Sequence, residues 1–148
     1  NKSILLQNRA VLSLGHFYPV PEPFLTFLQE TLRKKRKEEA QVDERIEISS
    51  CLAVEVMAAF DLKKAQSFEP LLIDALTPDK SFLGLGEKHQ EKGYEVRRAI
   101  CKLLGVIGTE KAVPMLTRLL KEKQWLPQDK DRVLQGLKGI HRRTQLII

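Results

Sequence analysis

Apolar residues recur along this chain with the period of an α-helix almost throughout. Ile4, Leu5, Ala10, Val11, Leu12 and Leu14 crowd one helix that runs up to Gly15. The stretch FYPVPEP comes next, where Pro19, Pro21 and Pro23 break the pattern, because proline lacks an N–H and clashes with the preceding turn. From about Glu22 a second helix carries Phe24, Leu25, Leu28 and Leu32 on one stripe and runs out in RKKRKEE. The next spans about 42–60, with Ile46, Ile48, Leu52, Ala53, Val56, Met57 and Phe60. DLKKAQ turns the chain, and Phe68, Leu72, Ala75 and Leu76 carry a helix to Thr77-Pro78. Beyond the long loop TPDKSFLGLGEKHQEKG lies the clearest helix, with a broad face of Val96, Ala99, Ile100, Leu103, Leu104 and Ile107. Gly108 is expected to end it in the left-handed conformation that glycine tolerates, with Thr109 capping the next helix. Val113, Leu116, Leu119 and Leu120 stripe that helix; Val133, Leu134, Leu137 and Ile140 stripe a last one. No segment alternates as a strand does.

Three of these stretches are alike. PFLTFLQETL from Pro23, PLLIDALTP from Pro70 and PMLTRLLKE from Pro114 each open with proline, an apolar pair and a mixed pair before apolar residues resume. The prolines stand 47 and 44 residues apart. Proline suits the first turn of a helix, where its missing N–H would be unpaired anyway. Ahead of each lies an apolar helix that ends at Gly15, Asp61 or Gly108. The spacing therefore predicts first helices at about 3–15, 43–60, 95–107 and 130–143, and second helices at about 22–37, 65–77 and 110–123.

YEVRRAICKLLGVIGTEKAVPMLTRLLKE, Tyr94 to Glu122, resembles a HEAT-type repeat, in particular the HEAT-like repeats of phycocyanobilin lyases. Val96, Arg97, Ala99, Gly105, Gly108, Ala112, Val113 and Pro114 carry the likeness. The other units match in outline, through Arg9, Ala10 and Gly15 and through Pro23 and Pro70. The resemblance implies an all-α, right-handed superhelix of the armadillo type, in which helix pairs bury their apolar faces on one another. It implies a style of binding, not one activity. Residues 1–148 then read as a single repeat domain, with repeats at about 3–38, 42–77 and 94–123, a partial one at 127–148, and the loop 78–93. Neither end shows the polar cap a terminal repeat needs, so the chain reads as part of a longer protein.

Composition adds little. The chain is 43% hydrophobic and 30% charged, which suits a folded domain rather than a disordered one. It has no apolar run long enough for a membrane helix and no visible signal peptide. That favours the cytoplasm over export, although the N-terminus looks truncated. The net charge of +6 is a mild bias toward anionic partners. Cys51 and Cys101 sit in helical patterns and read as small buried side chains, with no C-x-x-C spacing for metal or redox chemistry.

The candidate motifs are mostly architectural. Gly105-x-x-Gly108 lacks the strand and the Gly-Lys-Ser/Thr of a phosphate loop, and Gly84-x-Gly86 lacks a third glycine. RKKRK, Arg33 to Lys37, has two readings: a solvated helix end favoured by the helix dipole and by the acidic residues after it, or a patch that grips phosphates. His16, His89 and His141 share no ligand spacing, and the His-Glu pairs of HEAT-type iron hydroxylases are missing. Tyr18, Tyr94 and Trp125 fall near turns and suit inter-helix corners. Together these features point to a non-catalytic scaffold without cofactor or metal. Its concave face would meet another protein or peptide through Phe27, Glu30, Arg33, Lys37, Asp74, Arg118 and Lys121. Phe82, Leu83 and Leu85 would cover the gap between repeats or touch the partner. Two alternatives stay open: a nucleic-acid-binding module with a basic concave patch, and a lyase or chaperone subunit acting on a protein-attached cofactor.

Overall fold

The computed structural model describes residues 2–79, 88–123 and 125–145. Phe82, Leu83 and Leu85 lie outside the described residues. The described chain is all helical, apart from an isolated antiparallel bridge between Arg36 and His89. The helices are α1 (Lys2–Leu14), α2 (Glu22–Leu32), α3 (Glu44–Phe60), α4 (Leu62–Gln66), α5 (Glu69–Leu76), α6 (Tyr94–Ile107), α7 (Val113–Leu119) and α8 (Pro127–Gln145). A 3₁₀ turn, Glu110–Ala112, leads into α7.

Local chemistry sets the boundaries. Asp43 caps α3 by accepting from the Arg45 N–H at 2.9 Å, and Asp61 caps α4 by accepting from Lys64 at 3.1 Å. Pro23, Pro70 and Pro114 each sit in the first turn of their helix. The helix expected over 65–77 is two pieces instead. Pro70 has no N–H for the Gln66 carbonyl, so the ladder is interrupted, and α5 restarts at Glu69 behind the buried Phe68. Similarly, α2 stops at Leu32 rather than 37, and Arg33 is extended (φ −64°, ψ 157°).

Gly108 departs from expectation too. It caps α6 in an extended conformation (φ −64°, ψ 153°), not a left-handed one. Glycine is needed there for space: a Cβ would lie 2.3 Å from the Leu104 carbonyl oxygen. Thr109 does cap the 3₁₀ turn, accepting from the Lys111 N–H at 3.3 Å.

The helices pack in a repeating order. α1 packs on α3, α3 on α6 and α6 on α8. Each later helix of a pair leans on the next first helix: α2 on α3, α5 on α6, α7 on α8. The core is contiguous, and α6 is its centre, with Val96, Ile100, Leu103, Leu104 and Ile107 sealed from solvent. Each such side chain contributes about 1.5–3 kcal/mol of burial. α6 and α8 cross with backbones almost touching: a Cβ on Gly105 would come within 2.8 Å of the Gly136 Cα.

The two ends of the row differ. On α8 the exposed residues include Asp131, Arg132, Gln135, Lys138, His141 and Arg142, with Leu134 among them at 45% exposure. On α1 only Val11 is buried, and Leu5 and Leu6 are 53% and 66% exposed. No described helix is long and apolar enough to cross a membrane.

Candidate partner-binding surfaces

Counted from their prolines, Phe27, Asp74 and Arg118 occupy the same position on α2, α5 and α7, and all three are exposed. Glu30 and Lys121 occupy the next outward position on their own helices. This layer is chemically mixed: an aromatic ring, a carboxylate and a guanidinium at equivalent places. Arg118 and Lys121 make no ion pair with another described residue.

The basic cluster is a folded strap rather than a helix end. The Arg33 guanidinium donates to Glu30 at 2.9 and 2.7 Å and to Glu39 at 3.2 Å. Lys34 Nζ reaches across to the Thr77 carbonyl (2.8 Å) and the Asp79 carboxylate (2.7 Å). Lys35 is 6% exposed and donates to the Glu30 carbonyl and carboxylate. Arg36 lies 3.5 Å from Glu39. Two backbone bonds, Lys37 N–H to the Lys88 carbonyl (3.0 Å) and Gln90 N–H to the Lys35 carbonyl (2.8 Å), tie the strap to residues 88–90. Only the side chain of Lys37 is left fully outward and without an ion pair to a described residue.

The carboxylates register this pairing. Hydrogen bonds from Arg33, then Lys35, hold Glu30 down to about 2. Arg33 holds Glu39 to about 2, and Lys34 does the same for Asp79. Arg33 is correspondingly raised. Sequence reading anticipated pairing with the acidic residues after the cluster, and Glu39 fits. It missed Glu30 and Asp79. An Arg three residues after a Glu was a readable sign of the first, but nothing in the linear pattern pointed to the second.

Inside the fold a further pair, Lys92 with Glu47, stands at 2.6 Å with both side chains over nine-tenths buried. Burial pushes the Glu47 carboxyl upward, and the Lys92 ammonium opposes that shift. A hollow of about 400 Å³ between α5 and residues 89–92 is lined by Lys34, Asp79, Lys92, Arg97 and Glu122. Each of these charges already has an internal counter-charge, with Arg97 on Glu122 at 2.8 Å.

The aromatic residues near turns divide. Trp125 is buried, its ring 5.4 Å from that of Tyr94 and 5.2 Å from the Arg97 guanidinium. Its indole N–H donates to Glu122 at 2.7 Å, while the Tyr94 hydroxyl donates to Asp129. This is the inter-helix corner that sequence reading expected. Tyr18 is 63% exposed beside Phe60. Among the described residues no three His, Cys, Asp or Glu side chains are grouped to hold a metal ion. Cys51 and Cys101 are free thiols, buried and pushed up in pKa by burial.

The surface that sequence reading missed lies between α1 and α2. Gln7, Ala10, Val11 and Leu14 of α1 face Pro21, Pro23, Phe24 and Phe27 across an open groove of about 430 Å³. Its lining is almost wholly apolar. Of the expected contact residues among those described it takes in Phe27 alone. Its signal was present in the sequence. Seven apolar residues in α1, from Ile4 to Leu14, are more than one neighbouring helix can cover.

Protein-family models, curated proteins and solved structures give no match to this chain.

Proposed function

We propose that this chain is a HEAT-like scaffold module whose work is to hold another protein. A stack of helix pairs, curving as a right-handed superhelix, would present the groove of α1 and α2 and the outward residues of α2, α5 and α7. The observation that carries this reading is the groove: an unfilled apolar channel flanked by Phe27 at 42% exposure. Patches of this kind mark interaction surfaces. Beside it, the row Phe27, Asp74 and Arg118 supplies the mixed polar contacts that give a protein interface its specificity.

The nucleic-acid reading draws less support. Phosphate binding needs cations free to displace counterions, and Arg33, Lys34, Lys35 and Arg36 are committed to carboxylates or carbonyls of the same chain. The lyase or chaperone reading has no polar reactive group in the groove on which to stand.

Co-purification from cells of the encoding organism tests the proposal. The tagged chain, Phe27→Asp and Arg33→Glu/Lys37→Glu are compared, each with and without nuclease. A stoichiometric protein lost with Phe27→Asp and retained after nuclease is expected. Nucleic acid lost on reversing the cluster, with no protein that depends on Phe27, overturns it.

A further inference from the structure

Each later helix of a pair leans on the first helix of the next pair. Only α1, among the first helices, has no such helix upon it within the described residues. Its groove positions show what would fit there. Counted back from the residue that ends the helix, Gln7, Ala10, Val11 and Leu14 of α1 stand where α6 has Ile100, Leu103, Leu104 and Ile107. Those four residues of α6 are each 0% exposed. α4 and α5 pack on α6, and Gln66 at the end of α4 donates to the Ile107 carbonyl at 3.0 Å. On the equivalent strip of α1, Gln7 and Ala10 are exposed, Leu14 is half-buried and Val11 alone is covered, and the strip continues an interface that the fold has already used three times.

From this we infer that the groove between α1 and α2 seats a short amphipathic helix of a partner polypeptide, in the place that α5 takes on α6. The inference rests on the scaffold reading and names its occupant. The chemistry of that occupant follows that of α5. It starts with an acidic residue and proline, then carries apolar side chains one, two, five and six places after the proline, as Leu71, Leu72, Ala75 and Leu76 do. Apolar walls on both sides, with one amide at Gln7, favour leucine-sized side chains and give no counter-charge for a buried ion. The exposed face of α8 sets Leu134 among Asp131, Arg132, Lys138 and Arg142, charges for which this groove has no counter-charge, which argues against a head-to-tail second copy as occupant.

The test uses the 148-residue chain and a synthetic peptide with the sequence of residues 62–77, capped at both ends. Backbone amide NMR shifts are followed through a titration, with a scrambled peptide as control. Saturable shifts at Gln7, Ala10, Leu14, Phe24 and Phe27 are expected, with the scrambled peptide at least tenfold weaker. Ala10 is exposed, so Ala10→Glu should keep the fold and weaken binding at least tenfold, while Gln7→Leu should tighten it severalfold. Shifts confined to Asp74 and Arg118 would sink the groove and leave the scaffold reading standing. No saturable shift in either the native chain or Gln7→Leu would overturn the inference. So would groove shifts that appear on concentrating the chain alone, since the occupant would then be a second copy. The scaffold reading itself stands or falls on the nuclease comparison above.

Discussion

Glu69 begins α5, is 4% exposed, and accepts from both the backbone N–H and the hydroxyl of Thr109 (2.8 Å to the latter). It thus ties the start of one pair's later helix to the turn of the next pair. Glu69→Ala leaves two donors of Thr109 without their acceptor and should cost about 2 kcal/mol in urea denaturation. Glu69→Gln keeps one acceptor oxygen and should cost about half as much. A loss for Ala no larger than a surface substitution would deny the link any weight. The strap makes a second residue-scale prediction, through pH. Glu30, Glu39 and Asp79 are held at about 2, below ordinary values of 4.5, 4.5 and 3.8. A depressed carboxyl adds stability above its unfolded value and loses it as pH falls through the folded one. The strap should therefore loosen between about pH 4.5 and 2. Glu47 works in the other direction, since its raised value makes the folded state the stronger proton binder as pH rises past 4.5. Melting temperature measured across about pH 2–5 should fall on the acid side, and Glu39→Gln should flatten that fall. Solvent screens these groups, and Glu30 is 60% exposed, so the slope is expected to be shallow.

At the scale of elements, the crossing of α6 and α8 is set by two glycines. Any side chain at Gly105 meets the Gly136 backbone, which has no rotamer to yield. Gly105→Ala should cost about 1–3 kcal/mol through overpacking, although alanine is the better helix former. A stabilised variant would show that the helices part freely. Most helices were legible because the 3.6-residue period of buried positions is local information: Val96, Ile100, Leu103 and Ile107 announce α6 before any neighbour is known. The helix ends were less so. Nothing near Lys34 in the sequence reveals that its partners are Thr77 and Asp79, so α2 reads as continuing where the structure straps it across to α5. The groove was half legible. Phe27 stood out as an exposed ring on α2, but its facing wall on α1 could only be inferred from a surplus of leucines, because which side of α1 is covered depends on what packs there.

For the molecule as a whole, burial is unevenly shared. α6 touches α3, α5 and α8 and has six buried residues, whereas α1 rests mainly on α3 and buries Val11. Hydrogen exchange under native conditions should rank them accordingly, with α6 amides opening only near global unfolding and α1 amides exchanging orders of magnitude sooner. Equal protection of the two helices would contradict that order. Seating a helix in the groove should slow exchange in α1 most, since α1 forms one wall of the groove and buries Val11 alone. The unlike faces of α1 and α8 also bear on self-association. Faces that were apolar on both helices would let copies add step by step into fibres, as heterologous contacts do. Asp131, Arg132, Lys138 and Arg142 make the exposed face of α8 mostly charged, so these two described helices are poorly suited to polymerising against each other.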